Sequence, residues 1–106
     1  MNLESKTFDR LQRLLDSATR FEKCSGGRRP VLHAKMAQKY LLSGNILEAL
    51  RAIINAENEM RVHELRELAM KSLTVGGELF LEVMSAIQDQ DLAHAEEILI
   101  AAGALD

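Results

Sequence analysis

With 106 residues, the chain is long enough for one domain with a modest hydrophobic core. Its formal net charge of −3 argues against a nucleic-acid partner, because proteins that bind nucleic acids displace counterions from phosphate with clustered positive charge. No apolar run approaches the roughly 20 residues that span a bilayer, which argues against a membrane partner. The single cysteine, Cys24, excludes an internal disulfide and is typical of a reducing compartment, so we expect a cytoplasmic protein.

The composition predicts an all-α fold. Ala, Leu, Glu, Met, Lys and Arg dominate the sequence, and these residues favour helices. Val, Ile and Thr never alternate with polar residues for long enough to indicate a strand. We expect a single helical domain over residues 1–106, built from five to six helices in antiparallel, tetratricopeptide-like hairpins.

The N-terminal part of the chain predicts a helix followed by a linker. Apolar residues recur at helical spacing within residues 1–23, and a Gly-rich and Arg-rich segment follows over residues 24–30. Pro30 suits the first turn of the next helix. The first helix is either a separate arm or folds back onto the rest of the domain.

Residues 31–60 predict a helical hairpin. Its first helix should end near Leu42, since Gly44 is a natural C-terminal stop and Asn45 can cap the following helix. That next helix should begin near Ile46 and reach about Asn58. Whether it stops there stays open, because its apolar pattern weakens without a Pro or Gly to enforce a break.

Residues 61–106 predict further helices. The pair Gly76-Gly77 follows a helix over about 61–73 and indicates a break, since each internal Gly costs about 1 kcal/mol relative to Ala. A single long bent helix is the alternative. A helix over about 78–88 should follow, and Asp91 should cap a last helix that reaches about residue 102.

A faint internal repeat relates the two hairpins. A set of four apolar residues has a matching set 46 positions later in the chain. The two sets are Ile46, Ala49, Ile53, Ala56 and Leu92, Ala95, Leu99, Ala102. Either two hairpins share one design or two amphipathic helices are similar by chance.

The hairpin over residues 31–60 carries small and bulky residues in a distinctive order. These positions are Ala37, Tyr40, Gly44, Ile46, Glu48, Ala49, Ile53 and Ala56. Ala37 is a small residue where the two helices would touch, and Tyr40 is a bulky residue that would lie between them. Gly44 suits the turn, and Glu48-Ala49 lies in the first turn of the second helix. The hairpin therefore resembles a tetratricopeptide repeat. In size, acidity and helical content the chain also looks like small bacterial type III secretion chaperones.

The resemblance implies a protein-binding scaffold. In the family, ligands commonly lie against the first helix of each repeat, which implies these partner-binding positions: Ala34, Lys35, Gln38, Leu41 and Leu42. A partly apolar groove there would suit a helix or an extended apolar segment of another protein. The resemblance thus implies an adaptor or chaperone.

Two predicted helices are apolar around more than half of their circumference. They lie at about residues 46–58 and 78–88, and such helices need cover on several sides. We expect leftover apolar surface, covered by a partner protein or by a second copy. The first helix supplying the missing cover is the alternative. The runner-up function is therefore a self-associating structural domain, as a homodimer or as a subunit of a larger assembly.

No catalytic constellation, metal site or cofactor site is predicted. The segment starting at His63 resembles a zinc-protease motif, but Glu67 stands where the second His is required. The other two histidines lie on separate helices without a ligand partner at metal spacing. No base or orienting group can be assigned to Cys24, so we expect a protein that is not an enzyme.

Overall fold

The computed structural model describes residues 3–25 and 27–106 of the chain, and this part is all-α, as predicted. Met1 and Asn2 of the predicted N-terminal segment and Gly26 of the predicted linker lie outside the described residues. Five helices follow one another with no strand among the residues described. They are α1 (Leu3–Ser25), α2 (Arg29–Leu42), α3 (Ile46–Ser72), α4 (Glu78–Gln88) and α5 (Leu92–Ala101).

Helix α3 is one continuous helix of 27 residues, where the sequence predicted two helices with an uncertain boundary. The weak apolar pattern near that boundary arises because Asn55 and Asn58 face solvent. Solvent exposure of polar side chains does not interrupt a helix, and the segment contains neither Gly nor Pro. The break at Gly76-Gly77 is present, since α3 ends at Ser72 and α4 begins at Glu78.

The chain divides into two compact units, Met1–Met60 and Arg61–Asp106. The core of the first unit joins residues from three helices: Leu11 and Leu14 of α1, Ala34 and Ala37 of α2, and Ala49, Ala52, Ile53 and Ala56 of α3. Helix α1 therefore packs onto the hairpin and is not a separate arm. Its Leu11 is 1% exposed, which shows how completely the hairpin covers this face.

Alanine is the commonest residue in the core that α2 and the first half of α3 share with α1. Ala34, Ala37 and Ala49 are fully buried there, and the bulkier Tyr40 packs at the edge of the cluster. Because the separation of two helix axes depends on the side chains between them, small residues allow a close approach. The small residues of this hairpin therefore lie in the first unit's core, where their size suits close packing.

The second unit has its own core, with larger side chains. It is formed by Leu65 and Ala69 of α3, Val83, Ala86 and Ile87 of α4, and Ala95, Ile98 and Leu99 of α5. Helices α4 and α5 pack against each other. Residues beyond α5 contribute as well, since Ala104 and Leu105 contact this core.

The turns of the two hairpins have the same hydrogen bonds. After α2, the amide of Gly44 donates to the Leu41 carbonyl at 3.1 Å, and the amide of Asn45 donates to the Tyr40 carbonyl at 2.8 Å. This pair of bonds is a Schellman motif, which satisfies the last carbonyls of a helix. After α4, the amides of Gln90 and Asp91 make the equivalent bonds to Ile87 and Ala86, at 3.0 and 2.9 Å.

The caps that follow these turns also match. The Asn45 side chain accepts a hydrogen bond from the Glu48 amide at 3.4 Å, and Asp91 accepts one from the His94 amide at 3.2 Å. Residue 91 follows residue 45 by 46 positions, the same distance that separates the repeated apolar residues. The two hairpins therefore share one turn design, from the last turn of the first helix to the cap of the second.

Each unit also contains an ion pair between helices distant in sequence. In the first unit, Arg10 of α1 donates two hydrogen bonds to Glu57 of α3. These hydrogen bonds raise the pKa of Arg10 above its ordinary value, while partial burial opposes the shift. In the second unit, Arg61 of α3 donates to Glu96 of α5 at 3.1 Å. The Arg10–Glu57 pair is two-pronged and the Arg61–Glu96 pair is a single hydrogen bond. Both pairs fix the orientation of a helix more than they stabilise it, because the side chains are partly hydrated.

Candidate partner-binding site

A surface cavity of about 340 Å³ lies between the start of α1 and the end of α2 in the first unit. Helix α1 contributes Glu4, Ser5, Phe8, Asp9 and Leu11, and helix α2 contributes Gln38, Leu41 and Leu42. This volume lies at the lower end of the range for cavities that accept small molecules or side chains of a partner.

The cavity combines a buried apolar base with exposed apolar walls. Leu11 is buried and Leu41 is half-buried against the first unit's core. Phe8 remains 50% exposed and Leu42 84% exposed. Large apolar side chains that stay this exposed beside a cavity are typical of a surface that another apolar group covers.

The end of α2 sets the position of the two leucines. The Schellman motif at Gly44 ends the helix directly after Leu42, so both leucines lie in the last helical turn. Gly44 has a φ of 82°, a left-handed conformation that glycine adopts without steric cost. The helical phase places Leu41 one turn after the buried Ala37 and against the core, whereas Leu42 points about 100° away into solvent.

The polar lining of the cavity consists of two acidic and two neutral side chains. Glu4 and Asp9 lie on α1, one helical turn or slightly more apart, with Ser5 between them and Gln38 opposite on α2. All four are exposed. Within the described part of the chain, neither Glu4 nor Asp9 makes a hydrogen bond or an ion pair. The cavity thus has apolar walls and two unpaired carboxylates at its edge.

The structure brings three of the five sequence-derived partner-binding residues to this cavity. Gln38, Leu41 and Leu42 line it. Lys35 is exposed on α2 but does not line the cavity. Ala34 is fully buried in the first unit's core, so it has no surface to offer a partner in this structure.

Sequence reasoning missed the contribution of α1. Phe8 belongs to the apolar stripe predicted for that helix, which indicates a buried position, yet it is 50% exposed. Glu4 and Asp9 gave no signal, because single acidic residues occur on most exposed helix faces. Only the packing of α1 against α2 shows that these carboxylates lie beside an apolar cavity.

Apolar side chains are also exposed outside the cavity. On α3, Leu47 is 74% exposed and Ile54 44% exposed, and their spacing of two helical turns places them on one side of the helix. On α4, Leu81 is 57% exposed. The surplus apolar surface expected from the sequence is therefore present on both of these helices, even though α1 covers part of the first unit.

Two of the three histidines lie close to carboxylates. His33 lies 3.5 Å from Glu59, and His94 lies 3.4 Å from Glu82 on the neighbouring helix. In the described ranges, no three His, Cys, Asp or Glu side chains come together in a way that would hold a metal ion. Cys24 is exposed near the end of α1. Among the helices described, none combines the length and the apolar character needed to cross a bilayer.

Comparison with protein-family models, with curated proteins and with solved structures finds no match to this chain.

Proposed function

We propose that this protein is a non-catalytic adaptor or chaperone that holds an apolar segment of a partner protein in the cavity between α1 and α2. The observation that carries the proposal is the apolar cavity flanked by Phe8 and Leu42, both of which keep half or more of their surface in solvent. An amphipathic helix laid into a groove of this kind buries its own apolar residues against such side chains. Burying them provides the driving force for binding.

The resemblance to tetratricopeptide repeats is part of this proposal. In that family the ligand lies against the first helix of a hairpin, and the cavity lies against α2, the first helix of the hairpin that carries the resemblance. The balance of charge and the single cysteine favour a cytoplasmic location for such an adaptor.

Replacing Leu42 by glutamate is expected to weaken binding of an apolar helical partner at least about tenfold, since burying a leucine contributes about 1.5–3 kcal/mol. The probe is a fluorescent, amphipathic helical peptide with a leucine stripe and glutamine elsewhere, and the measurement is its anisotropy. Helicity by circular dichroism should survive, because Leu42 is 84% exposed and contributes little to the core.

The matched control for this variant is Leu81→Glu. Leu81 is 57% exposed on a helix of the second unit and does not line the cavity, so its replacement adds the same charge elsewhere. Equal weakening by both variants would show that the peptide responds to overall charge, and unchanged binding by Leu42→Glu would remove the cavity from the proposal.

Self-association is the second candidate, favoured by the exposed stripe of Leu47 and Ile54 on α3. A C2 dimer formed by this stripe would bury it against its own copy. We then expect sedimentation equilibrium to show a concentration-dependent dimer that Ile54→Glu converts to a monomer. A wild-type chain that stays monomeric at high concentration would exclude this candidate and leave the adaptor.

A further inference from the structure

The acidic edge of the α1–α2 cavity limits which segments can fill it. Glu4 and Asp9 line the cavity without an ion pair, whereas Glu57 and Glu59 of the same unit each pair with a basic side chain. An apolar segment with acidic flanks would bring like charges together here. A segment with basic flanks would supply the missing partners.

The spacing of the two carboxylates selects the geometry of those basic flanks. Glu4 and Asp9 are five residues apart on α1, which separates them by about 7.5 Å along the helix axis. Two basic residues three or four positions apart on a partner helix are separated by about 4.5–6 Å along its axis, and their long side chains cover the remaining distance. Five residues also turn the helix by about 140°, so one partner helix reaches both carboxylates only through long lysine or arginine side chains.

We propose that the cavity binds a cationic amphipathic helix of another protein, an inference that rests on the proposed function. A leucine, isoleucine or phenylalanine side chain of that helix enters the cavity between Phe8, Leu41 and Leu42. Lysine or arginine residues on one flank of the apolar stripe pair with Glu4 and Asp9. Apolar contacts supply the affinity, and the charge pairs select the partner and its orientation.

The test uses three helical peptides with the same leucine stripe and with lysine, glutamine or glutamate at the flanking positions. The protein is studied as wild type and as the double variant Glu4→Gln, Asp9→Asn, with peptide affinity measured by fluorescence anisotropy at two salt concentrations. We expect the lysine peptide to bind the wild type about 3- to 30-fold more tightly than the glutamine peptide, from two partly exposed charge pairs. The double variant and high salt should both remove this advantage.

The matched control is the double variant Asp16→Asn, Glu67→Gln, which changes the net charge equally at exposed positions that do not line the cavity. It should retain the preference for lysine. If it loses the preference as fully as the cavity variant does, the effect is one of net charge and the inference is overturned.

The remaining outcomes separate the inference from the proposed function. Equal binding of the lysine and glutamine peptides, abolished by Leu42→Glu, would overturn the cationic partner and leave the adaptor in place. Failure of all three peptides to bind would overturn both. A dimer that Glu4→Gln, Asp9→Asn dissociates, and that competes with the lysine peptide, would assign the cavity to a second copy and overturn a separate partner.

Discussion

Replacing Ile53 by alanine is expected to lower the free energy of unfolding by about 2–5 kcal/mol, the range for truncating a fully buried aliphatic side chain. Ile53 has no exposed surface and lies in the core that α1, α2 and α3 form in the first unit. Its counterpart in the second unit, Leu99, is equally buried, so Leu99→Ala should cost a similar amount. Urea denaturation followed by circular dichroism measures both.

The chain supplies a matched control beside each of these residues. Ile54 is 44% exposed and Ile100 is 50% exposed, so truncating either one removes fewer contacts. Measured at a concentration where the chain is monomeric, Ile54→Ala and Ile100→Ala should each cost less than about 1 kcal/mol, in the range of surface substitutions. A cost at Ile54 that equals the cost at Ile53 would contradict the assignment of the buried face of α3.

The two Schellman turns predict stability changes of opposite sign. Gly44 and Gln90 occupy the same position of the motif, with φ values of 82° and 60°. A left-handed conformation costs a residue with a Cβ roughly 1–2 kcal/mol, and glycine avoids this cost. We therefore expect Gln90→Gly to raise the free energy of unfolding by about 1 kcal/mol and Gly44→Gln to lower it by about as much.

Asp89 is the control for this exchange, because it precedes Gln90 with a φ of −79°. Glycine gains nothing at such a position and adds flexibility to the unfolded chain, so Asp89→Gly should be destabilising. If Gln90→Gly also destabilises the protein, the left-handed turn after α4 is not the conformation that glutamine adopts in solution.

Local signals in the sequence were sufficient to predict most helix ends. Gly44, Gly76 and Asp91 each impose a conformation or a hydrogen bond that does not depend on distant residues. The predicted start and end of α4 agree with the structure for this reason. The continuity of α3 could not be predicted in the same way, because the polar side chains of Asn55 and Asn58 suit a loop as well as an exposed helix face.

The candidate site depends on contacts that have no local signal. Gln38, Leu41 and Leu42 lie within the last two turns of α2. The family resemblance implied that they belong to a binding surface. Phe8 and Asp9 become part of the same cavity only through the antiparallel packing of α1. The burial of Ala34 is another such effect, since its place in the core depends on residues from two other helices.

Helix α3 contributes its N-terminal part to the first unit and its C-terminal part to the second. Each unit is assembled from neighbouring segments, so either one can form first without waiting for distant parts of the chain. When one unit opens, its portion of α3 loses its tertiary contacts, and isolated helices shorter than roughly 12–15 residues are marginal in water. The other unit still holds its portion of α3 in helical form, so the exposed portion continues a helix that has already nucleated. The folding of one unit would then stabilise the helical form of α3 in the other unit, because the two portions belong to one continuous helix.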